Sequence, residues 1–509
     1  MAGLFHYFEQ ILKLDRSEIR YLDADLVFAR LEDDSIYEAA YGDAVMDVTE
    51  EQDATTFIIV GGRLHGVRAS VKNKLPLRDT PILRWSMIDV QQGDGLVLET
   101  ARGEIVLIDG GDNKLYARHL AARYAGTSKA LPLQPDAIIV THGDADHFAG
   151  LSEIRKTENQ KKIDPKNRLF LAPDRVLHNG LAKRPGKRPD KTDRPDREQF
   201  GATKVVDGTR FITELIDDLE SLPNEELNVP FREWRDTLQH WQARREALGL
   251  KPMLVRRVDH TMAAAFDFLQ GETGLDTQVL GPIVETVGNK PGLRFLKAPP
   301  NTAELHLQEE VGATGSDSAS HTINGHSVAF RMQYGNVRIM LTGDMNHESM
   351  NRLRHAIPEA QLRAEVLKTP HHGSADFDFK FLKAVSPVVS MISSGDEDTS
   401  KEYIHPRATL VSALGRASRG DTGIVFITEL AAFFAVRGYA TEVDPSNAAR
   451  KKAFFAFERT NFGIIHVRSD GERVLAFTHS GKRGMNEAYG FRVDGQGKIK
   501  VAPRLTTVR

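Results

Sequence analysis

Four side chains able to bind a metal, His142, Asp144, Asp146 and His147, fall within six residues of the chain. The sequence has no cysteine, so a metal must be held by imidazole or oxygen ligands, and disulfides, zinc fingers and a cysteine nucleophile are excluded. On one tight turn the first pair can face one cation and the second pair another, about 3.5 to 4 Å away over a shared water. Such cations lower the pKa of that water from about 15.7 toward 7 and polarise a phosphoryl or carbonyl oxygen, which makes water the nucleophile. The competing structural reading, that Asp146 or His147 caps a following helix, does not account for the full pattern.

The surrounding elements must deliver this loop. Ala137–Val140 reads as a short buried strand with the loop at its C-terminal end, where α/β folds place their chemistry. Upstream, 83–90 and 96–100 read as strands joined by Gln92-Gly93-Asp94-Gly95; 105–108 is a buried strand ending in Asp109-Gly110-Gly111, and a helix follows over 114–124. Downstream, 327–333 and Val337–Leu341 predict a hairpin through Tyr334-Gly335-Asn336, and 463–468 with 473–477 another strand pair across Asp470-Gly471.

The spacing divides the chain into a small α+β region at 1–80, with strands at 26–31 and 56–60, a main domain at 81–480, and a tail at 481–509 that completes or flanks the sheet. An insertion at about 175–297 opens with the Pro-rich, Lys/Arg-rich segment 183–197 and continues as helices over 209–248. Trp234 and Trp241 share a helix face and read as core aromatics rather than a base-stacking platform. The basic segment also holds Asp190, Asp193 and Asp196, so it reads as a solvated loop before a nucleic-acid arm. His306, within 301–308, has no partner spacing and reads as structural.

Over 509 residues, 67 Lys plus Arg face 70 Asp plus Glu for a net charge of −3, which gives no general attraction to polyanions; any nucleic-acid affinity must be local. With 40% hydrophobic and 27% charged residues the composition is that of an ordinary globular protein. No apolar run nears the ~18 to 20 residues of a membrane span, and charged residues interrupt the N-terminal stretch before a signal-like apolar region forms. The expectation is a cytoplasmic protein without a membrane partner.

The His-x-Asp-x-Asp-His pattern resembles the second motif of the metallo-β-lactamase fold, usually written His-x-His-x-Asp-His, in the variant found in the hydrolase domain of ComEC-type DNA-uptake proteins. Other parts of that variant appear in order. Asp89-Val90-Gln91-Gln92-Gly93-Asp94 resembles the family's opening, with Gln91 where glycine is usual. Leu107-Ile108-Asp109-Gly110-Gly111 resembles the first motif, Leu341-Thr342-Gly343-Asp344 the strand end bearing a bridging aspartate, and Thr369-Pro370-His371-His372-Gly373-Ser374 the last ligand motif. Tyr403-Ile404-His405-Pro406 resembles the late His-Pro element, and Asn324 with Ser327 stands where other branches carry a third histidine ligand. The resemblance covers about 82–480.

It implies an α/β fold, an αββα sandwich with a helical insertion and a small N-terminal α+β region. It implies metal ligands His142, Asp144, Asp146, His147, Asp344 and His372, with Asp146, His405 and Asn324 in catalytic roles. Asp89, Asp94, Asp109, His371 and Ser374 would support the ligands from outside. Adjacent His371 and His372 point to opposite sides of an extended segment, and the family's ligand commonly precedes a glycine, which favours His372. The cofactors would be two divalent ions; Asp144 and Asn324 in place of histidines harden the site and move preference from Zn toward Mn or Mg. The implied activity is phosphodiester hydrolysis of DNA by a nuclease, with bacterial defence as a context, and a protein partner could dock through 1–80 or the insertion. The alternatives are a hydrolase of small phosphodiesters or phosphorylated cell-wall components, since phosphorylcholine esterases share the motif order, and a partner-binding scaffold that keeps its metal site.

Overall fold

Short runs of aliphatic residues with both faces buried form the centre of the molecule, as parallel strands covered on two sides must. The structure, a computed structural model, describes residues 3–50, 54–158, 164, 167–270, 275–298, 316–395, 405–420, 423–431, 441–443, 451–453, 459–480 and 484–509. Ile105–Asp109 and Ala137–Val140 are buried throughout and pair in parallel. They lie inside a ten-stranded mixed sheet, in the order Leu254–Arg257, Arg175–His178, Ala137–Val140, Ile105–Asp109, Gly95–Glu99, Leu83–Met87, Ile464–Ser469, Arg473–His479, Met485–Val493 and Ile499–Val501.

A second, six-stranded sheet runs Leu275–Gly281, Ala329–Tyr334, Val337–Leu341, Val366–Lys368, Val389–Ile392 and Ile424–Ile427. The two sheets pack face to face: Trp85, Leu98, Val106 and Ile139 share one buried cluster with Phe330, Ile339, Val366 and Met391. Helices cover both outer faces. Leu115–Arg123 buries Tyr116, Ala117, Leu120 and Ala121, one helical stripe, beside Phe148, Leu151 and Ile154 of Ala145–Glu158. On the other side His347–Ala356, Phe379–Val385 and Ala408–Ala417 pack on Met340, Leu367 and Ile392. The result is an α/β domain of mixed sheets with flanking helices, layered helix, sheet, sheet, helix.

Several expectations about the added regions need correction. Over 209–248, the first part is not helical: Thr203–Val206 and Thr209–Ile212 form a hairpin through Asp207 and Gly208, whose φ values of 48° and 74° are the left-handed pair a type I′ turn requires. The helix itself is Val229–Ala247, started by the Asn228 side chain accepting from Phe231 N at 3.0 Å. Trp234 and Trp241 on it meet edge to face at 5.7 Å and are buried, as core aromatics. The segment 175–297 is also more than a helical add-on. Its ends supply Arg175–His178 and Leu254–Arg257 to the first sheet and Leu275–Gly281 to the second.

The N-terminal region is predominantly β rather than α+β. Seven strands between Ile19 and Arg78 form an antiparallel sheet, and Thr507–Val508 joins it in parallel beside Leu26 and Val27. The helical stretch that opens the chain's described residues, Gly3–His6 continuing through Tyr7–Ile11, packs on the helical layer of the main domain instead, through Leu4, Phe5, Tyr7 and Phe8, and a short helical turn at Arg16–Glu18 leads into the sheet. The N-terminal sheet is held to the main sheet by Asp43, which receives Arg84 at 3.2 Å and Arg468 at 2.9 Å.

Candidate metal centre

Strand ends of both sheets converge on one place. Ile105–Asp109 ends in Asp109, Ala137–Val140 leads into Thr141 and His142, and the helix Ala145–Glu158 carries Asp146 and His147 in its first turn. From the second sheet, Val337–Leu341 leads to Asp344 and Val366–Lys368 to His371 and His372. The turn before Asp94 presses on this helix start. A Cβ on Gly93, at φ +94°, would fall 1.7 Å from the carbonyl oxygen of Asp146, so the approach depends on glycine.

Asp344 is the hub. Its Oδ2 lies 3.2 Å from His147 Nε2 and 2.9 Å from His372 Nε2, while Asp146 Oδ2 is 3.7 Å from His372 Nε2. Each imidazole is gripped at its other nitrogen. His147 Nδ1 bonds Asp109 Oδ2 at 2.8 Å, His372 Nδ1 bonds the Ser393 carbonyl at 3.3 Å with Asp94 at 3.5 Å, and His142 Nδ1 meets the hydroxyls of Thr141 and Ser327 at 3.2 and 3.3 Å. The Nε2 atoms of His142, His147 and His372 are buried without a hydrogen-bond partner. Inward Nε2 atoms, outward Nδ1 atoms held by oxygen, and buried carboxylates among them form a donor set that fits divalent cations.

Among the described residues, ligand-type atoms within 4.8 Å of one another form four overlapping groups: His142, His147 and Asp344; Asp146, His147 and His372; Asp94, Asp109 and His147; Asp94, Asp344 and His372. The electrostatics agree with a cation site. Burial alone would push His147 and His372 down, but Asp344, with Asp109 at His147 and Asp94 at His372, outweighs it and pushes both imidazoles up. A divalent ion would satisfy the same oxygens and release those protons. Burial raises Asp109 and Asp146.

The remaining candidates sit around this hub. Asp144 lies outside all four groups; its Oδ1 is 3.2 Å from Lys183 Nζ, and the Asn324 amide nitrogen donates to its Oδ2 at 2.8 Å. In that orientation the amide oxygen is the atom 3.4 Å from His371 Nε2, and the rings of His371 and His405 are 6.0 Å apart. Ser374 braces the turn after the histidine pair, its backbone N–H donating to the His371 carbonyl at 2.7 Å. Asp89 accepts from Gln91 N at 3.2 Å and shapes the turn before Asp94, where Gln91 adopts φ +67°, the conformation for which glycine is suited. Residues 301–308, with His306, and Tyr403 and Ile404 lie outside the described residues.

Sequence reasoning missed one side chain here. Lys368, 1% exposed, is ion-paired with Asp94, donates to the Gly343 carbonyl at 2.8 Å and lies 3.5 Å from Asp344 Oδ1. A lysine closing an apolar strand directly before the histidine motif was the available signal.

Residues 88–219 match the family model of the metallo-beta-lactamase superfamily. The matched segment contains Asp109 and the whole His142 to His147 loop, whereas Asp344 and His372 lie beyond it. The chain is also 30% identical over 96 residues to ComE operon protein 3 of Bacillus subtilis (strain 168), a match covering 19% of this chain and 12% of that protein. A solved structure from Thermotoga maritima, described as a Zn-dependent hydrolase of the metallo-beta-lactamase superfamily, is similar over 67% of this chain and 97% of its own, at 8% identity and a TM-score of 0.23.

Within the matched segment Asp109 offers a direct test. It accepts from Thr141 N at 2.8 Å and from the Thr141 hydroxyl at 2.6 Å while holding His147. Asp109→Asn is expected to weaken divalent-metal affinity about 10- to 100-fold, read by competition with a chromogenic chelator. Unchanged affinity would remove Asp109 from that role.

Proposed function

We propose that this chain is a divalent-metal-dependent phosphodiesterase that cleaves DNA. The observation that carries the reading is the acid-rich donor set around Asp344, with His142, His147, His372 and Asp146 gathered at one end of both sheets. The ordered motifs that resemble the ComEC-type hydrolase domain support the substrate class. Divalent ions held by His142, Asp146, His147, Asp344 and His372 would supply an activated water and Lewis acidity toward a phosphoryl oxygen, with oxygen ligands admitting Mn or Mg beside Zn.

The chain's own residues do the rest. Asp109 and Asp94 fix the imidazoles of His147 and His372 through Nδ1. Asp146, whose side chain is 21% exposed and lies 3.7 Å from His372 Nε2, would accept the proton of the attacking water on a carboxylate oxygen. His405 is pushed down to about 3 by burial and by His372 and His371, so at neutral pH it contacts a phosphoryl oxygen as a neutral hydrogen-bond donor. Asn324 positions Asp144.

A second reading, a hydrolase of small phosphodiesters, is favoured by one observation. Arg184 pairs with Glu214 and Glu226, and Arg188 with Glu198, so these arginines of the basic segment are already neutralised within the insertion. No helix among the described residues is long and apolar enough to cross a membrane, and we place the activity in the cytoplasm.

The test compares labelled single- and double-stranded DNA with bis(4-nitrophenyl) phosphate, each with Mn, Mg or Zn, for the natural chain and Asp146→Asn. Metal-dependent DNA cleavage that falls more than ~100-fold in the variant is expected. Turnover of the small diester alone would shift the assignment to the second reading, and no turnover despite bound metal would leave the scaffold.

A further inference from the structure

A net charge of −3 exerts no general pull on polyanions, and Arg184 and Arg188 of the segment 183–197 are already paired with glutamates. A second basic run lies in the N-terminal sheet. Between Asp53 and Asp79 the chain has no acidic residue, yet it carries Arg63, Arg68, Lys72, Lys74 and Arg78. Arg78 is engaged by Tyr41 and by Asp470 at 3.5 Å. The other four are exposed, and among the described residues none of them is paired with a carboxylate.

One hairpin sets their placement. Thr55–Ile59 and Arg68–Val71 pair antiparallel around the turn 60–67, and Ala69 and Val71 are buried in the core of the sheet. Alternation along the strand sends Arg68 and Ser70 to the solvent side, and Lys72 and Lys74 follow directly where the strand ends. Arg63 stands in the turn, where it donates to a neutral acceptor, Asn167 Oδ1, at 3.4 Å. On the neighbouring strand Arg30 lies opposite Ser70 and is paired with Asp34 at 3.0 Å, so that carboxylate already has its cation.

The hairpin is also set apart from the metal centre. A Cβ on Gly62 would lie 3.7 Å from the Ala122 carbonyl oxygen, at the C-terminal end of Leu115–Arg123, whereas the other end of that helix follows Asp109-Gly110-Gly111. The two places thus lie at opposite ends of a helix about 13 Å long.

We propose that this hairpin is a nucleic-acid anchoring surface, on which Arg68, Lys72 and Lys74, with Arg63 at the turn, bind phosphates of a DNA backbone. The proposal rests on the reading of DNA as substrate, and it gives a long DNA a second hold on the chain that a small phosphodiester lacks. Contacts of this kind carry no base preference, and their affinity falls as salt rises.

The experiment is fluorescence anisotropy of a labelled DNA duplex titrated with the full chain in chelator, where no metal-dependent cleavage occurs, over a series of salt concentrations. It compares the natural protein with a triple variant, Arg68→Ser, Lys72→Ser and Lys74→Ser, and with a charge-keeping one, Arg68→Lys, Lys72→Arg and Lys74→Arg, each checked for folding by circular dichroism. The serine variant is expected to bind on the order of tenfold more weakly at low salt and to lose about 3 units from the slope of log affinity against log salt, while the charge-keeping variant matches the natural protein. Unchanged affinity and slope in the serine variant, no DNA binding by the natural chain, or binding to phosphatidylserine vesicles in preference to DNA would overturn the proposal. DNA held through the hairpin but left uncleaved when metal is added would overturn the substrate reading alone.

Discussion

Asp344→Asn is expected to reduce metal occupancy to background and to abolish hydrolysis. Its Oδ2 lies 3.2 Å from His147 Nε2 and 2.9 Å from His372 Nε2, and the residue belongs to two of the four ligand groups. An amide keeps the shape but lacks the charge that draws a cation there. The loss should exceed the ~100-fold typical of groups that merely orient ligands, because here the shared oxygen itself is affected. The fold should survive, since the backbone N–H of Asp344 still donates to the Ser327 hydroxyl at 2.9 Å. Elemental analysis after gel filtration, with circular dichroism as the check on folding, decides the matter: near-natural metal content in a folded variant would remove Asp344 from the centre.

Lys368→Met should produce the largest effect on stability. Methionine matches the length of the stem, but Asp94 loses its cation and the Gly343 carbonyl loses a donor. Breaking one partner out of a buried ion pair costs about 3–5 kcal/mol. Denaturant unfolding in the presence of a chelator should show a loss of that order. Added divalent metal should then stabilise the variant by about 4 kcal/mol at a thousandfold excess over its Kd, by linkage to the folded state. A loss below about 1 kcal/mol with chelator would mean that Lys368 contributes little to holding these carboxylates together.

The legible parts of the molecule were those whose signal is local. Ile105–Asp109 and Ala137–Val140 are unbroken aliphatic runs, and a run of that length between turn residues has few structures open to it. The His142 to His147 loop was legible for the same reason, since its donors are close in sequence. Of the N-terminal sheet, Leu26–Leu31 and Thr55–Ile59 were legible as strands, whereas others of four or five residues such as Ile19–Leu22 and Ile36–Ala40 are too short to show a period. The hairpin at Asp207-Gly208 carried its turn signal, but the charged helix after it dominated the longer window. Lys368 and Lys183 were hidden for a different reason: the partner of each, Asp94 or Asp144, comes from a distant part of the chain and is brought near only by folding. Asp144 likewise looks like an unencumbered ligand until Lys183 is placed beside it.

The pairing of Thr507–Val508 with Leu26 and Val27 also sets an order in time. On the ribosome the N-terminal sheet emerges before the rest of this chain, and Arg30 and Leu31 can pair with Ser70 and Ala69 at once, yet the part of that edge at Leu26 and Val27 stays open until Thr507 and Val508 are made, roughly 25–100 s later at about 5–20 residues per second. Asp25, beside that edge, waits equally long for Arg473 and for the backbone N–H of Thr506, which it accepts at 2.7 Å. During that interval the nascent chain presents an unpaired strand edge and an unmatched carboxylate. A charge beside an open edge disfavours edge-to-edge pairing, so the acid that in the folded chain joins Arg473 and Thr506 to the sheet is also placed to protect that edge before they arrive.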